Sequence, residues 1–377
     1  MKRFLAFFLV LLMAAGLTAP AHAEDLAVDA QACLLMEKST GQVLYAVNEH
    51  EKLEPASVTK IMTILLVMEA IAAGTLDYDD MVTASAHACS MGGSQIWLKE
   101  NEQLSVEDML KAVCVASAND CSVALAEHLA GSEEAFVEQM NRRAKELGMN
   151  DTVFRNASGL PAEGHVTSAH DIAVMSRELI LNHPDVRKYT TIWMDTLRGG
   201  ASELVITNKL IRHYPGATGL KTGSTSTAMY CVSATAERDG MELIAVVLKS
   251  PTGDQRVADV RTLLDHGFAG YALQAAVPDE ALPPIPVTLG TQATVQPVPS
   301  DEKLLLEKTK LAALTKTVEL AERVEAPVSA GDVLGTLRLT AGDEVLAEVP
   351  ITAGESVPRL TWGQVALRLL RSALFAA

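Results

Sequence analysis

Aromatic side chains and positive charge are both scarce in this 377-residue chain. Phe, Trp and Tyr together make up 4% of the residues, and 47 acidic residues outnumber 31 lysines and arginines, which gives a formal net charge of −16 at pH 7. Surfaces that bind nucleic acid carry basic runs, often with aromatic residues that stack on the bases. The chain has no such run. The sequence therefore predicts an acidic protein with no nucleic-acid partner.

Cysteine is also scarce, and the five cysteines are spaced neither as metal ligands nor as a regular disulfide framework. Their number is odd, and no two of them form a C-x-x-C pair. We expect them to be buried as small apolar side chains, and we predict neither a metal nor any other cofactor. The five are Cys33, Cys89, Cys114, Cys121 and Cys231.

The apolar run at the N-terminus, residues 4–17, is shorter than the roughly 20 residues that a membrane span needs. Two basic residues precede it, and the small residues Ala21 and Ala23 follow it. This is the pattern of a secretory signal peptide cleaved after Ala23. Residues 1–23 are therefore predicted to be removed, and the mature protein to act outside the cytoplasmic membrane. A retained N-terminal anchor is the alternative.

Residues 24–275 alternate between strand-like and helix-like patterns. Hairpin signals lie near both ends of this region, at Ser39-Thr40-Gly41 and at Asp239-Gly240. Strands from distant parts of the sequence, with helices between them, predict an α+β domain whose antiparallel sheet is covered by helices. The helices are predicted over 57–73, 105–129, 133–147, 168–182 and 254–268.

The chain after this domain has a different composition. Proline is frequent over 277–299, and the later runs are short, β-branched and separated by turns, so residues 276–357 are predicted to form a small β-rich domain. In residues 358–377, a capping box of Thr361 with Gln364 begins a helix with an apolar face and a basic face. We predict that this amphipathic helix binds a membrane surface. A terminal helix docked on its own domain is the alternative.

The tetrad Ser57-Val-Thr-Lys60 begins the first predicted helix. Another Ser-x-x-Lys tetrad occurs at 300–303, but in a polar stretch that favours a solvated lysine. After Lys60, apolar residues cover all sides of the helix, so this lysine is predicted to be buried beside the Ser57 hydroxyl. Burial lowers the pKa of a lysine, and a neutral amine can take the proton of a serine nucleophile. A helix-capping serine and a snorkelling lysine would also explain the tetrad.

Two further short motifs follow along the chain. Ser117-Ala-Asn119 interrupts an apolar helical region, and Lys221-Thr-Gly223 begins a strand shortly before the Asp-Gly hairpin. Alone, the first motif would be a turn between helices, and the second an edge strand guarded by a lysine. In this order, the three motifs resemble the set found in the serine penicillin-recognising enzymes.

The resemblance covers nearly the whole chain and is to the low-molecular-mass penicillin-binding proteins of the D-alanyl-D-alanine carboxypeptidase family. The stretches FRNASGLP from Phe154, HVTSAHDIAVMSREL from His165 and YPGATGLKTGST from Tyr214 are also similar to that family. It implies a β-lactamase/transpeptidase-like domain with a helical subdomain, then a small all-β domain and an anchor at the outer face of the cytoplasmic membrane. It implies peptidoglycan stem peptides ending in D-Ala-D-Ala as substrate and β-lactams as covalent inhibitors.

The resemblance also implies an acyl-enzyme reaction. Ser57 would attack the carbonyl between the two terminal D-alanines, and Lys60 would be the base for this acylation. Ser117 would relay a proton to the departing D-alanine. The backbone amides of Ser57 and Ser224 would form the oxyanion hole.

Substrate binding is implied for the other motif residues. Asn119 would hold the amide backbone of the substrate. Lys221 would act electrostatically on Ser117 and, with Thr222, would bind the terminal carboxylate, which needs a cationic and hydroxylic clamp. Gly223 would let the substrate approach the strand edge without a Cβ in the way.

Other functions of the same motifs stay open at this point. A β-lactamase shares them but needs a carboxylate that drives deacylation, and no acid stands in a comparable motif before Lys221. A D,D-transpeptidase or endopeptidase would pass the same acyl group to another acceptor, and a penicillin-binding sensor would perform no catalysis. His165, His170 and Asp171 are assigned structural roles, the last of them in a helix cap.

Overall fold

The computed structural model describes residues 26–375, with side chains as far as residue 368. The predicted signal peptide lies outside the described residues. Strands in the first part are β1 (Ala32–Glu37), β2 (Val43–Val47), β3 (Met81–Thr83), β4 (Gln103–Ser105), β5 (Met194–Leu197), β6 (Ser202–Val205), β7 (Ala217–Thr225), β8 (Met229–Arg238) and β9 (Met241–Ser250). Helices are α1 (Lys60–Ala72), α2 (Ala86–Cys89), α3 (Val106–Val115), α4 (Asn119–Ala130), α5 (Glu133–Glu146), α6 (Ala169–Asn182), α7 (Arg187–Thr190), α8 (Leu210–His213) and α9 (Gly253–Gly270). Short 3₁₀ turns lie at Ala56–Thr59, Pro184–Val186 and Arg198–Gly200.

A five-stranded antiparallel sheet, in the order β2-β1-β9-β8-β7, forms the centre of this part. Its strands come from the two regions that the hairpin signals predicted. Arg238 pairs with Met241 around a turn in which Asp239 and Gly240 have φ values of 51° and 76°. Two consecutive positive φ values match the right-handed twist of a hairpin, which is why Asp-Gly is favoured there.

Helices cover both faces of the sheet, which confirms the predicted fold class. Along β9, Ile244 and Val246 belong to the apolar core that the sheet shares with α1 and α6. Leu243 and Val247 belong to the core on the opposite face, which α9 covers. All four side chains are fully buried. A strand buried on both faces needs an unbroken apolar run rather than an alternating one.

The helical pattern over 105–129 divides into two helices, α3 and α4, at the Ser-Ala-Asn motif. Ser105 caps α3, since its hydroxyl accepts a hydrogen bond from the Asp108 amide at 3.1 Å. Ser117 adopts a φ of 61°, outside the helical region, so the chain must turn there. The break places both polar residues of the motif at the N-terminal end of α4.

The second part of the chain is built almost entirely of strands. They are β10 (Tyr271–Ala275), β11 (Ile285–Thr288), β12 (Thr294–Val295), β13 (Pro297–Val298), β14 (Lys303–Glu307), β15 (Leu314–Leu320), β16 (Val324–Glu325), β17 (Val333–Ala341) and β18 (Glu344–Ala353). One short helix, α10 (Lys308–Leu311), interrupts them. The largest sheet has the order β13-β18-β17-β15, and β10 pairs with β14. The strand that directly follows α9 therefore hydrogen-bonds to the β-rich part.

The final helix, α11, spans Trp362–Phe375. Thr361 and Gln364 form a capping box, in which the Thr361 amide donates to Gln364 Oε1 at 2.8 Å and the Gln364 amide donates to Thr361 Oγ1 at 3.4 Å. Within residues 26–375, no helix combines the length and the apolar character that a membrane crossing requires.

Candidate active site

Ser57 and Lys60 meet at the start of α1. Ser57 lies half-buried on the 3₁₀ turn, and Lys60 is the first residue of the helix and is fully buried. The Lys60 amine is 3.0 Å from Ser57 Oγ. The burial and the contact that the spacing predicted are confirmed.

Lys60 has two further partners. Asn119 Oδ1 and the carbonyl oxygen of Ser158 each lie 2.6 Å from its Nζ. Burial lowers the pKa of Lys60 well below its usual value, and the nearby charge of Lys221 lowers it further. The amine can therefore be neutral at a pH at which an exposed lysine is charged.

Ser117 and Asn119 lie in the turn between α3 and α4. Ser117 Oγ is buried and has no hydrogen-bond partner among the described residues. An unpaired buried hydroxyl is costly, so its presence indicates a group kept for a ligand. Asn119 has two partners within the protein, because its Oδ1 accepts from Lys60 and its Nδ2 donates to the Gly92 carbonyl at 2.7 Å. One N–H of its amide is left for a substrate.

The Lys-Thr-Gly motif lies on edge strand β7, opposite the Ser57 turn. Lys221 is buried, its amine donates to the Thr222 carbonyl at 3.0 Å, and burial together with the charge of Arg256 lowers its pKa to about 7. Thr222 Oγ1 donates to Thr207 Oγ1 at 2.7 Å. Ser117 Oγ has no hydrogen-bond partner among the described residues, so Lys221 makes no hydrogen bond to it.

Gly223 lies in close contact with the turn that carries Ser57. A Cβ at this position would lie 2.8 Å from the Ser57 amide nitrogen and 2.9 Å from the Pro55 carbonyl oxygen. The protein's own turn thus already requires a glycine here, and the predicted approach of a substrate to this strand edge stays a prediction. The glycine lets β7 and the nucleophile's turn share one edge of the site, with the exposed Ser224 next to it.

A cleft of about 160 Å³ unites these groups. Its lining includes Ser57, Ser117, Thr222, Gly223 and Ser224 and also four residues outside the predicted motifs. These four are Ser94, Thr207, Tyr230 and Arg256. None of them stands in a pattern that sequence reasoning could have singled out, because they come from four separate segments of the chain.

Arg256 is the most informative of the unpredicted residues. It lies in the first turns of α9 and donates from Nη1 to the carbonyls of Gly223 and Cys231, at 3.4 and 3.2 Å. Its guanidinium also lies over the Tyr230 ring, 5.7 Å from the centroid. It therefore adds a fixed cation to the end of the cleft that Thr222 lines.

The remaining candidates have structural surroundings. His165 is buried, shares a hydrogen bond with Thr59 Oγ1 at 2.9 Å, and has its pKa lowered to about 4 by burial and by Arg155. Helix α6 is capped by Ser168 Oγ, which accepts from the Asp171 amide at 3.2 Å. The Asp171 carboxylate does not cap its own helix, because it accepts from the backbone and hydroxyl groups of residues 151–152.

The other Ser-x-x-Lys tetrad, at 300–303, takes no part in the site. Ser300 Oγ accepts a hydrogen bond from the Glu302 amide, and Lys303 is exposed on β14. The solvated stretch predicted there is confirmed.

The residues that line the cleft include no cysteine, histidine, aspartate or glutamate. The five cysteines are free thiols, and all but the half-buried Cys89 are buried, as expected for small apolar side chains. Within residues 26–375, no group of three or more His, Cys, Asp or Glu side chains is arranged to hold a metal ion.

A serine held by a buried lysine, facing a Lys-Thr-Gly strand on a helix-covered antiparallel sheet, defines a serine hydrolase of the penicillin-recognising class. Comparison with protein families agrees, since the D-alanyl-D-alanine carboxypeptidase (peptidase S11) model matches residues 18–252. The C-terminal domain of penicillin-binding protein 5 matches residues 278–359. The chain belongs to the D-alanyl-D-alanine carboxypeptidase family and is a serine-type D-Ala-D-Ala carboxypeptidase.

Similar proteins extend over most of the chain. D-alanyl-D-alanine carboxypeptidase DacF of Bacillus subtilis is 41% identical over 372 residues, covering 95% of each chain. DacC of Escherichia coli is 32% identical and covers 93% of this chain and 90% of its own. Among solved structures, penicillin-binding protein 5 of Haemophilus influenzae superposes with a TM-score of 0.76 at 29% identity, over 91% of this chain and all of the other. Penicillin-binding protein D2 of Listeria monocytogenes, solved with ampicillin bound, is 34% identical with a TM-score of 0.60, over 65% of this chain and 99% of its own.

Proposed function

We propose that Ser57 is the nucleophile of this carboxypeptidase and that Lys60, as a neutral amine, is its base. The arrangement of donors and acceptors carries the proposal. Asn119 Oδ1 and the Ser158 carbonyl can only accept hydrogen bonds, and both lie 2.6 Å from the amine. In a neutral amine they would take the two N–H groups, which would leave its lone pair to accept from the Ser57 hydroxyl, 3.0 Å away.

The reaction then has two steps. Ser57 Oγ gives its proton to Lys60 and bonds to the carbonyl carbon between the terminal D-alanines. The peptide C–N bond breaks, and Ser117 passes a proton to the departing nitrogen, so free D-alanine leaves and an ester to Ser57 remains. Water hydrolyses this ester, which restores Ser57 and releases the shortened stem peptide. The amides of Ser57 and Ser224 would stabilise the negative oxygen formed in each step.

The terminal carboxylate of the substrate would bind at the Thr222 end of the cleft. Thr222 supplies a hydroxyl, while Lys221 and Arg256 supply positive charge. Only a peptide with a free C-terminal carboxylate could bind both this hydroxyl and these positive charges. This favours removal of a single terminal residue over internal cleavage.

The central experiment measures D-alanine release from a diacetylated Lys-D-Ala-D-Ala tripeptide. The wild-type protein should release D-alanine, and Ser57→Ala should abolish release, whereas Ser300→Ala in the other tetrad should behave as wild type. Adding an amine acceptor in the same assay measures how much of the acyl group is transferred instead of hydrolysed. Release that persists in Ser57→Ala would overturn the assignment.

We further propose that β-lactams acylate Ser57. The solved complexes of the Listeria relative with ampicillin and cefotaxime support this for a protein 34% identical to the chain. Mass spectrometry after treatment with a penicillin should place one adduct on the peptide containing Ser57. An adduct on the peptide containing Ser300 would contradict the proposal.

We also propose that residues 1–23 direct export and that α11 binds the outer face of the cytoplasmic membrane. Trp362, on the apolar face of this helix, is 90% exposed, so its side chain is not covered by the described part of the protein. Such a helix, apolar on one side and free of acidic residues, suits a membrane interface. Deletion of residues 362–377 should move the protein from the membrane fraction to the supernatant with activity unchanged. Continued sedimentation with vesicles would favour a retained N-terminal anchor.

A further inference from the structure

Asp120 is a fully buried acidic residue next to the active site. It follows Asn119 directly and lies in the first turn of α4. Its carboxylate oxygens accept hydrogen bonds from the backbone amides of Ile96, Leu98 and Cys121, at 3.1, 3.0 and 2.9 Å. An ionised carboxylate can only accept hydrogen bonds, and a buried one needs such donors. The three amides therefore hold Asp120 as a fixed negative charge inside the protein.

This carboxylate holds one wall of the active-site cleft in place. Ser94 lines the cleft, and its carbonyl accepts from the Asn119 amide at 2.7 Å. Two residues further along the chain, Asp120 binds the Ile96 amide, and the Ile96 carbonyl accepts from Arg198 at 2.8 Å. Loss of the Asp120 carboxylate would therefore release the segment that carries Ser94.

Asp120 also acts on the Lys60 amine through its charge. Asn119 Oδ1, on the neighbouring residue, lies 2.6 Å from Lys60 Nζ. Burial lowers the pKa of Lys60 most, the charge of Lys221 lowers it further, and the charge of Asp120 raises it. The amine therefore lies between the fields of a cation on β7 and an anion on α4.

Three other titratable groups interact with Asp120, namely Cys89, Cys121 and Arg198. Burial raises the pKa of both thiols, and the hydrogen bond with Glu102 raises the pKa of Arg198. The thiols thus stay neutral and the guanidinium stays charged around neutral pH. An effect of Asp120 on the rising limb of the pH profile therefore reports on Lys60.

We propose that Asp120 is a positioning residue of the reaction, which holds the Ser94 wall of the cleft and stabilises the positive charge that Lys60 acquires during acylation. This inference rests on the proposed function. In that step the Ser57 O–H bond breaks, the proton passes to the Lys60 lone pair, and the Ser57 oxygen bonds to the substrate carbonyl carbon. The new ammonium group is buried close to the charge of Lys221. A fixed anion nearby lowers the energy of this state.

The test measures the rate constant of acylation by benzylpenicillin as a function of pH. Asp120→Asn removes the charge and keeps the shape and one acceptor oxygen. Its rising limb should move to lower pH, because the pKa of Lys60 falls when the anion is lost. Its maximum rate should fall about 10- to 100-fold, because the protonated amine is less stabilised. Asp120→Glu keeps the charge, so its rising limb should stay at the wild-type position although its rate falls as the wall shifts.

Asp259→Asn is the matched control. Asp259 is another fully buried carboxylate, on α9, and it accepts from the Asp29 amide at 3.1 Å and from Ser250 Oγ at 3.0 Å. This variant should lose stability and keep the wild-type rate and rising limb.

The outcomes separate a role in the reaction from a role in folding. A lower rate in Asp120→Asn with an unmoved rising limb would overturn the proposal, since only the wall would then depend on Asp120. Two Asp120 variants that never react, beside a reactive Asp259→Asn, would assign Asp120 to folding and would also overturn it. The rate constant is read from the molecules that react, so partial unfolding does not obscure the result. If benzylpenicillin did not acylate the wild-type protein at Ser57, the proposed function itself would fail, whatever the role of Asp120.

Discussion

Two buried lysines, Lys60 and Lys221, have different proposed roles in the active site. Burial lowers the pKa of both, and the nearby charge of Lys221 lowers that of Lys60 further. Lys60 has acceptors for two N–H groups and a serine for its lone pair, so its neutral form is the useful one. Lys221 is proposed to bind the terminal carboxylate of the substrate, and only its charged form would do so. Burial favours the neutral form of both amines, which suits the proposed role of Lys60 and limits the proposed role of Lys221 to pH values below about 7.

The proposed roles of the two lysines predict how kcat/KM depends on pH, because this quantity reports the pKa values of essential groups in the free enzyme. The rate should rise with pH as Lys60 loses its proton, and should fall as pH passes the Lys221 pKa of about 7, because the positive charge that binds the carboxylate is lost. Measurement of D-alanine release from pH 5 to 10 checks this expectation. A substrate with an amidated C-terminus, followed by release of D-alaninamide, should react more slowly and should lack the falling limb. The same fall for both substrates would contradict the role of Lys221.

The unpaired hydroxyl of Ser117 allows a second prediction at this scale. Ser117→Ala should lower the rate of acylation by about 10²- to 10⁴-fold, the usual contribution of a proton-transfer group. It should leave the free energy of unfolding unchanged or slightly higher, because an unsatisfied buried hydroxyl is removed.

A matched control is Ser122→Ala on α4, since Ser122 Oγ donates to the Ala118 carbonyl at 2.8 Å. That variant should lose about 1 kcal/mol of stability and keep its activity. Stopped-flow acylation and thermal unfolding measure both quantities. Unchanged acylation in Ser117→Ala would remove Ser117 from the mechanism.

At the level of elements, the site depends on the contact between β7 and the turn that carries Ser57. In the proposed mechanism, the turn supplies the nucleophile Ser57, and the strand supplies Lys221 and Thr222 to bind the carboxylate. Only a glycine lets the two backbones meet, because a Cβ at 223 would overlap the Ser57 amide. Helix α9 strengthens the junction through Arg256, which donates to the Gly223 carbonyl.

Gly223→Ala should therefore damage both stability and catalysis. Overpacking of a close contact costs about 1 to 3 kcal/mol, and a shift of about 1 Å at the nucleophile can cost about 10²-fold in rate. Gly270→Ala is the control, because nothing lies within 4 Å of a Cβ there. Unfolding and penicillin acylation measure the two effects. If Gly223→Ala acylated at the wild-type rate, the turn and the strand would not need this spacing.

In the whole molecule, the catalytic cleft and the β-rich part are built separately. Every residue that lines the cleft precedes α9 or lies in it. The β-rich part has its own apolar clusters, such as that of Ile285, Val295 and Val357. The two parts join through α9 and through the pairing of β10 with β14.

We therefore expect a shortened protein to keep its activity if the truncation does not leave β10 without its partner strand β14. A chain that ends at residue 270 should be acylated by penicillin within about twofold of the wild-type rate, since no cleft residue is lost. A chain that ends at residue 275 would expose β10 as an unpaired strand and should aggregate more readily. Acylation assays and light scattering on both chains check this. A strong loss of acylation in the shorter chain would show that the β-rich part supports the cleft.

The sequence by itself determined the residues whose position depends on short-range geometry. Ser57 and Lys60 are one turn apart, so their contact follows from helical spacing, and the hairpins follow from their turn residues. Tertiary structure alone decided what required segments far apart to meet. It assigned Asn119 and Ser158 to the Lys60 amine, brought Arg256 to the cleft, and placed Gly223 against the Ser57 turn. Such contacts leave no local pattern, because they depend on the packing of whole helices and strands rather than on neighbours in the chain.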